Sequence, residues 1–241
     1  MNAQRKLQKV FSAEGFKSAI EHGRRWLQPV DSAKMFRSLP AKEWTEIQDR
    51  YLGPNRDTSV GDSAKFANAK YWLKVNIERA QDLRLERAQP LRILDLGCGA
   101  GYFLYVCSQW GHEAIGLDLD ENQLYRDTIA QLGARRVIWR IDPFVPLPDL
   151  GGKFDLVASH CVCFQKLERL ADGNWTHWGV PEWQFFLDDV RARILKPGGR
   201  LLLDFNPQPD GSHYPASVGD FFRSQGARIF RSKALFAGIS G

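Results

Sequence analysis

From Leu91 onward the chain alternates short apolar runs with helical stretches, and this rhythm limits the fold more than any other feature of the sequence. The runs are LRILDL (91–96), EAIGLD (113–118), RVIWRI (136–141), FDLVAS (154–159) and RLLLDF (200–205). Helical spacing fits between them at 101–110, 121–132 and 182–195, and Pro197-Gly198-Gly199 reads as a sharp turn that stops the last helix. Apolar strands that alternate with helices need cover on both faces, which predicts an α/β fold with a doubly wound, mostly parallel sheet. The tail reads as a helix at 217–225 and then ARIFR and KALFAGI, which fit a closing hairpin that adds a C-terminal antiparallel strand.

The chain before Leu91 reads as helical. Phe66, Ala69, Leu73, Ile77, Ala80 and Leu83 recur at helical spacing within 63–87, with Asp62 or Ser63 as the cap. A loop is expected at LGPNRDTSVGD (52–62), a helix at 41–51 and another near 12–27. These features divide the chain into a helical N-terminal segment, 1–62, serving as a lid or interaction element, and a domain at 63–241. Residues 1–90 carry 17 basic against 11 acidic side chains, and 91–241 carry 16 against 17. A basic excess confined to one segment raises the question of a nucleic-acid or acidic partner, but basic and acidic residues interleave there, as on an ordinary solvated helical face. No apolar run reaches the roughly 18 residues that a membrane helix needs. Cys98, Cys107, Cys161 and Cys163 form no disulfide framework and read as free thiols in a reducing cytoplasm. The Cys161/Cys163 spacing lacks the second ligand pair of a zinc site, so no metal is expected.

The string ILDLGCGAGYF (93–103) carries the chemistry. An apolar run leads into Asp95, then Gly97, Gly99 and Gly101, and a helix follows. Such a turn brings backbone close to a ligand, which a side chain would prevent. Asp118 lies 21 residues after Gly97, at the end of the second strand, where an acid can accept from the two hydroxyls of a ribose. Asp120 reads as the cap of the next helix.

Together these strings resemble the class I S-adenosylmethionine (SAM)-dependent methyltransferase family, which has a Rossmann-like domain. The resemblance covers roughly 70–235 and rests on ILDLGCGAG, GLDLDENQL, RIDPFVPLP, FDLVAS and LKPGGRLLLDF in that order. Nicotinamide enzymes usually space their glycines GxGxxG, whereas here Asp-x-Gly-x-Gly-x-Gly runs from Asp95 to Gly101. The resemblance implies SAM as cofactor and S-adenosylhomocysteine as product. It places Asp95, Gly97, Cys98 and Gly99 along the methionine part, with Gly101 opening the helix. It gives Asp118 the ribose, sets Leu119 against the adenine, and faces Asp142 to the adenine amino group. Pro143 follows as an apolar wall, with Phe144 either sharing it or merely packing its loop. Ser159 and His160 end the fourth strand, where cofactor and acceptor meet. Tyr71, Trp72 and Lys74 sit on the helix that closes over the SAM carboxylate in family members.

The methyl of SAM is already activated, so a general base is needed only for an acceptor that must lose a proton. His160 is placed for that task, with local packing as its other reading. The aromatic stretch after the fourth strand offers Phe164, Trp175, His177 and Trp178 as an acceptor lid. Trp183, Phe186 and Val190, at helical spacing, read as core. Ser159-His160-Cys161-Val162 is not the Pro-Pro string of base amino-methyltransferases, and Cys161 and Cys163 lack the preceding proline of cytosine-C5 enzymes. A small-molecule acceptor is therefore expected. The alternatives are an RNA or protein methyltransferase using the basic N-terminal segment, a non-catalytic SAM-binding or regulatory protein, and an aminopropyl transferase. The last would need acids to hold a polyamine, and 159–186 offers few.

Overall fold

The computed structural model describes residues 30–169, 175–208 and 211–239. In chain order the elements are α1 (Ser32–Arg37), α2 (Ala41–Leu52), α3 (Ala69–Asp82), β1 (Arg92–Leu96), α4 (Tyr102–Gln109), β2 (Glu113–Asp118), α5 (Gln123–Leu132) and β3 (Arg135–Ile138). Then come β4 (Phe154–His160), β5 (Gln165–Arg169), β6 (Trp175–His177), α6 (Val180–Asp189), β7 (Leu195–Asp204), α7 (Ala216–Ser224), β8 (Arg228–Phe230) and β9 (Lys233–Ile239). One sheet has seven strands in the order β3-β2-β1-β4-β7-β9-β8, and β5 and β6 form a separate pair. The first five of the seven run parallel and β9 lies antiparallel to β7, as the apolar rhythm predicts. The chain crosses from one side of β1 to the other between β3 and β4. Ligands of such sheets bind in the crevice beyond the strand ends at that switch.

Side chains alternate between the two faces of a strand. On β1, β4 and β7, Leu94, Leu96, Val157, Leu201 and Leu203 pack with α6 and α7 through Trp183, Phe186 and Phe222. On the other face, Ile93, Leu156, Ala158 and Leu202 pack with α2, α3 and α4. Trp44, Ile47 and Tyr51 of α2 share this second core with Leu73 and Ile77 of α3, so residues 39–60 pack into the same body as the sheet. Tyr51 Oη donates to Asp127 Oδ2 at 2.6 Å and fixes α2 to α5.

Several local expectations are corrected. The helix expected at 63–87 is a 3-10 helix over Gly61–Ala67 and then α3, because Asn68, not Asp62 or Ser63, accepts from Tyr71 N at 3.1 Å. The third strand stops at Ile138 rather than at 141, because β2 ends at Asp118 and offers no backbone beyond the bond from Trp139 N to Asp118 O. Pro197-Gly198-Gly199 does not separate helix from strand. It forms a bulge within β7, where Leu195 pairs with Phe154 and Arg200 with Leu156. Asn122, not Asp120, caps α5, and Asp120 is instead paired with Arg136. The helix near 12–27 and the side chain of Trp175 lie outside the described residues.

Candidate active site

The glycine turn is built by bonds from Gly97 N and Cys98 N to Leu117 O, at 2.8 and 3.1 Å, which draw it across the end of β2. Gly97 has φ +66°, and a Cβ there would lie 2.2 Å from Val162 Cγ2, so only glycine fits. Gly116 makes room from the other side, since a Cβ on it would meet Cys98 Sγ at 2.4 Å. Asp118 closes the turn. Its Oδ2 accepts from Gly99 N at 2.5 Å and its Oδ1 from Leu119 N at 2.7 Å. Burial raises its carboxyl above the usual carboxylate range, against the pull of those two amides and of Arg136.

Above this turn lies a cavity of about 630 Å³. Asp95, Gly97, Cys98, Gly99, Gly101, Asp118 and Leu119 line it together with Asp142 and His160, which arrive from other elements. Asp95 is 3% exposed and its Oδ1 has no hydrogen-bond partner among the described residues. Burial pushes its carboxyl up to about 8, with Arg79 opposing and Asp118 adding to the rise. A buried acceptor without a donor is costly, and at a cavity wall it is matched by a bound cation or donor.

Other expected site residues are elsewhere. Ser159 is fully buried on the α6 side of β4, one residue out of phase with the cavity face. Phe164 and Trp178 are core, not lid: Phe164 is 5% and Trp178 2% exposed, with ring centroids 5.0 Å apart. Trp183 and Phe186 complete the cluster, and Trp178 Nε1 donates to Gln165 O at 3.2 Å. An indole whose N–H finds a backbone acceptor is buried without a polar penalty, so Phe164 and Trp178 pack onto α6. His177 lies in β6 and Pro143 on the rim loop, neither on the cavity wall. Phe144 has φ +58° and packs edge-on against Phe185.

The cavity walls contain residues the sequence reading missed. Trp72, Asn76 and Arg79 form one stripe of α3, at helical spacing, over the glycine turn. Of the expected trio at this place only Trp72 faces the cavity, while Tyr71 is 56% exposed and Lys74 points outward. Trp72 packs at a tilt against Phe66, with ring centroids 4.3 Å apart, and donates from Nε1 to Lys65 O at 2.9 Å. Arg79 donates to Asn76 Oδ1 at 3.2 Å and approaches Cys161 Sγ at 3.7 Å. Its guanidinium pairs with no carboxylate among the described residues. A clue stood in the sequence: Asn76 interrupts the apolar face of α3 between Leu73 and Ile77, and is only 4% exposed. Gln165, Lys166 and Asn206 form the far end, with Lys166 Nζ 2.7 Å from Glu182 Oε1.

His160 lies at that end, in edge contact with Phe103 at 4.8 Å. Burial takes its pKa down to about 4, against the pull of Asp204 and with Arg79 adding to the drop, so the imidazole is neutral at pH 7.

A model of a methyltransferase domain matches residues 68–210, more than half of the chain. A ubiquinone biosynthesis O-methyltransferase from Bordetella avium (strain 197N) is 29% identical over 178 residues, which span 64% of this chain and 66% of that protein. The chain thus aligns with just under two thirds of this relative's length. Among solved structures, an amino pentose methyltransferase from Micromonospora echinaspora with SAM bound is 25% identical, with a TM-score of 0.44, covering 66% of this chain and 62% of that one. The magnesium protoporphyrin IX methyltransferase from Synechocystis PCC 6803, with S-adenosylhomocysteine bound, is 17% identical, with a TM-score of 0.45, covering 82% and 94%. With the family's domain matched from α3 to the end of β7 and the glycine turn at its centre, the chain belongs to the class I SAM-dependent methyltransferase family.

Proposed function

We propose that the protein transfers a methyl group from SAM to a small-molecule acceptor. The observation that carries this reading is the meeting, in one cavity, of the Gly97–Gly101 turn with three carboxylates, Asp95, Asp118 and Asp142. SAM presents a ribose, an adenine and an α-amino acid, and each has a counterpart there. Both oxygens of Asp118 accept one amide each and keep further lone pairs for ribose hydroxyls. Asp142 and Leu119 border the same side, for the adenine. Asp95, whose Oδ1 has no hydrogen-bond partner among the described residues, suits the α-ammonium, and the Arg79 guanidinium, held by Asn76 and paired with no carboxylate among the described residues, suits the carboxylate. Trp72 and Phe66 line the same cavity as an apolar wall.

When bound, SAM supplies an electrophilic methyl on a sulfonium. The chain's share is to bind, orient and shield. Alignment of an acceptor in line with the methyl can contribute on the order of several kcal/mol to the rate. A small acceptor is supported by the polar side chains that border the cavity beside His160, those of Gln165, Lys166 and Asn206. Among the described residues no helix is long and apolar enough to cross a membrane.

Calorimetric titration with SAM and with S-adenosylhomocysteine, run beside Asp118→Ala, tests the cofactor site. Micromolar binding lost in a folded Asp118→Ala protein is the expected result, and a folded wild-type protein that binds neither ligand overturns the reading. Formation of S-adenosylhomocysteine should then be stimulated by the low-mass fraction of a cell extract. Stimulation by the macromolecular fraction alone would transfer the acceptor to protein or RNA.

A further inference from the structure

The charged groups on the cavity wall are divided by the sheet. The three carboxylates, Asp95, Asp118 and Asp142, belong to β1, the end of β2 and the loop after β3, which form one half of the strand order. Beyond the end of β4, the wall consists of Cys161, Val162, Cys163, Gln165, Lys166 and Asn206, and no carboxylate among the described residues lines that part. Its own charge is Lys166, and Arg79 of α3 approaches it with Nη2 3.7 Å from Cys161 Sγ. The other two basic residues of the wall are engaged elsewhere. Arg140 Nη2 bonds Glu121 Oε1 at 2.8 Å, and Lys65 Nζ lies 5.4 Å from the centre of the Phe66 ring.

Lys166 is anchored from behind. Its Nζ is 2.7 Å from Glu182 Oε1, and its side chain stays 30% exposed. Glu182, buried in the first turn of α6, is not part of the wall. Its other oxygen accepts from Gly179 N at 2.8 Å, at the N-terminus of this ten-residue helix, where the peptide dipoles present positive charge. The Glu182 charge is thus shared between Lys166 and the helix terminus. An ammonium has three donors, and one of them serves Glu182, so the lysine is held in place with donors left for a ligand. Asp204, the other acid behind this end, accepts from Ser232 Oγ at 2.6 Å and lies beside Lys233, its register partner on β9. Asn206 sends Nδ2 to Cys161 O at 2.8 Å, and its Oδ1 accepts from no donor among the described residues.

Resting on the methyl-transfer reading above, we infer that the acceptor is a small organic acid whose carboxylate is held by Lys166. A carboxylate only accepts, so it matches an ammonium on a wall that offers no competing acid, and the bond is charge-assisted. The same wall turns a cationic acceptor away, because Lys166 and Arg79 would face it with like charge. The half with the three acids suits the ammonium of SAM, so the two ligands of one cavity are sorted by the sign of their charge. In the acceptor the carboxylate is a handle and a separate oxygen or nitrogen is methylated, with Asn206 Oδ1 available to a hydroxyl or amine hydrogen. That atom's lone pair forms the bond to the methyl carbon, the carbon–sulfur bond breaks, its electron pair stays on sulfur, and the acceptor's proton passes to water.

The test is calorimetric titration of the whole protein, loaded with S-adenosylhomocysteine, with salicylate, anthranilate and 3-hydroxybenzoate, each beside its amide. The amide keeps the shape of the acid and loses the charge. The expected result is that the acids bind about tenfold or more tightly than their amides, as one charged hydrogen bond provides. Lys166→Ala should erase that preference and leave the affinity for S-adenosylhomocysteine unchanged, and added salt should weaken the acids and spare the amides. Amides that bind as tightly as the acids overturn the proposal, as does a panel in which no acid binds, or a preference that survives in Lys166→Ala. Should Lys166→Ala not fold, Lys166→Met combined with Glu182→Gln, which removes both charges of the pair, decides by the same ratio. Failure of the methyltransferase reading shows earlier and separately, as no binding of S-adenosylhomocysteine in the loading step.

Discussion

The two ends of the cavity are built in different ways. The end proposed for the cofactor is built mainly from one continuous stretch, 95–119, in which a strand, a glycine turn and the end of the next strand are bound together by main-chain amides. The end proposed for the acceptor is assembled from β4, β5 and the residues after β7, and its contacts are between side chains: Lys166 to Glu182, His160 beside Asp204. A site made of backbone tolerates little change at a few positions. A site made of side chains from separate elements can be remodelled one residue at a time, which suits the part that must distinguish acceptors.

The aromatic stretch beside the acceptor end offers the largest test of this contrast. Trp178→Ala should cost about 3–5 kcal/mol of stability, the usual range for removing a buried Trp, and leave SAM affinity unchanged. Denaturant unfolding measures it. A stable Trp178→Ala protein would return that residue to a lid. Next, Gly97→Ala should lower both stability and SAM affinity, by about 2–3 kcal/mol, through its left-handed φ and the clash with Val162. The paired variant Gly97→Ala with Val162→Ala removes the clash but not the φ, so partial recovery of melting temperature divides the two causes.

Asp118→Ala should weaken SAM binding by about 10- to 100-fold, the worth of charged hydrogen bonds of about 1.5–3 kcal/mol. Lys166→Ala, at the other end, should leave SAM affinity within about twofold and act on the acceptor, with the buried Glu182 carboxylate still held by Gly179 N. Equal losses for the two variants in calorimetry would remove the distinction between the ends.

A pH dependence tests the cavity wall at Asp95. Asp95 is held near 8 in the folded protein, so below that pH its carboxyl is largely protonated. A ligand ammonium that needs the ionised form should therefore bind more tightly as pH rises toward about 8, by at most about tenfold per unit, and should release a proton at pH 7. Calorimetry in buffers of different ionisation enthalpy counts that proton. The sign for stability is the reverse. A carboxyl whose folded pKa is raised costs stability as pH climbs from its unfolded value, about 3.9, to about 8. Asp95→Asn should flatten that decline in melting temperature and abolish the proton release.

Much of this was legible before any coordinates. The order of strands and helices after Leu91, the glycine turn and the acid at Asp118 are local signals, each written in a few adjacent residues. The β5–β6 pair has no local signal, because the residues of these two short strands carry no clear period. The misplaced boundaries at 63, 141 and 197 have a common origin, since each depends on a partner strand or cap that local periodicity does not contain.

By itself the sequence determined a mostly parallel sheet wrapped on both faces and a glycine turn open to close backbone approach, because glycine freedom and two-residue alternation act at short range. Only the tertiary structure decided that Phe164 and Trp178 are core, that Arg79 and Asn76 face the cofactor cavity, and that Ser159 turns away from it while His160 meets Asp204. Those outcomes depend on the register between strands far apart in the chain, where a slip of one residue moves every side chain to the opposite face.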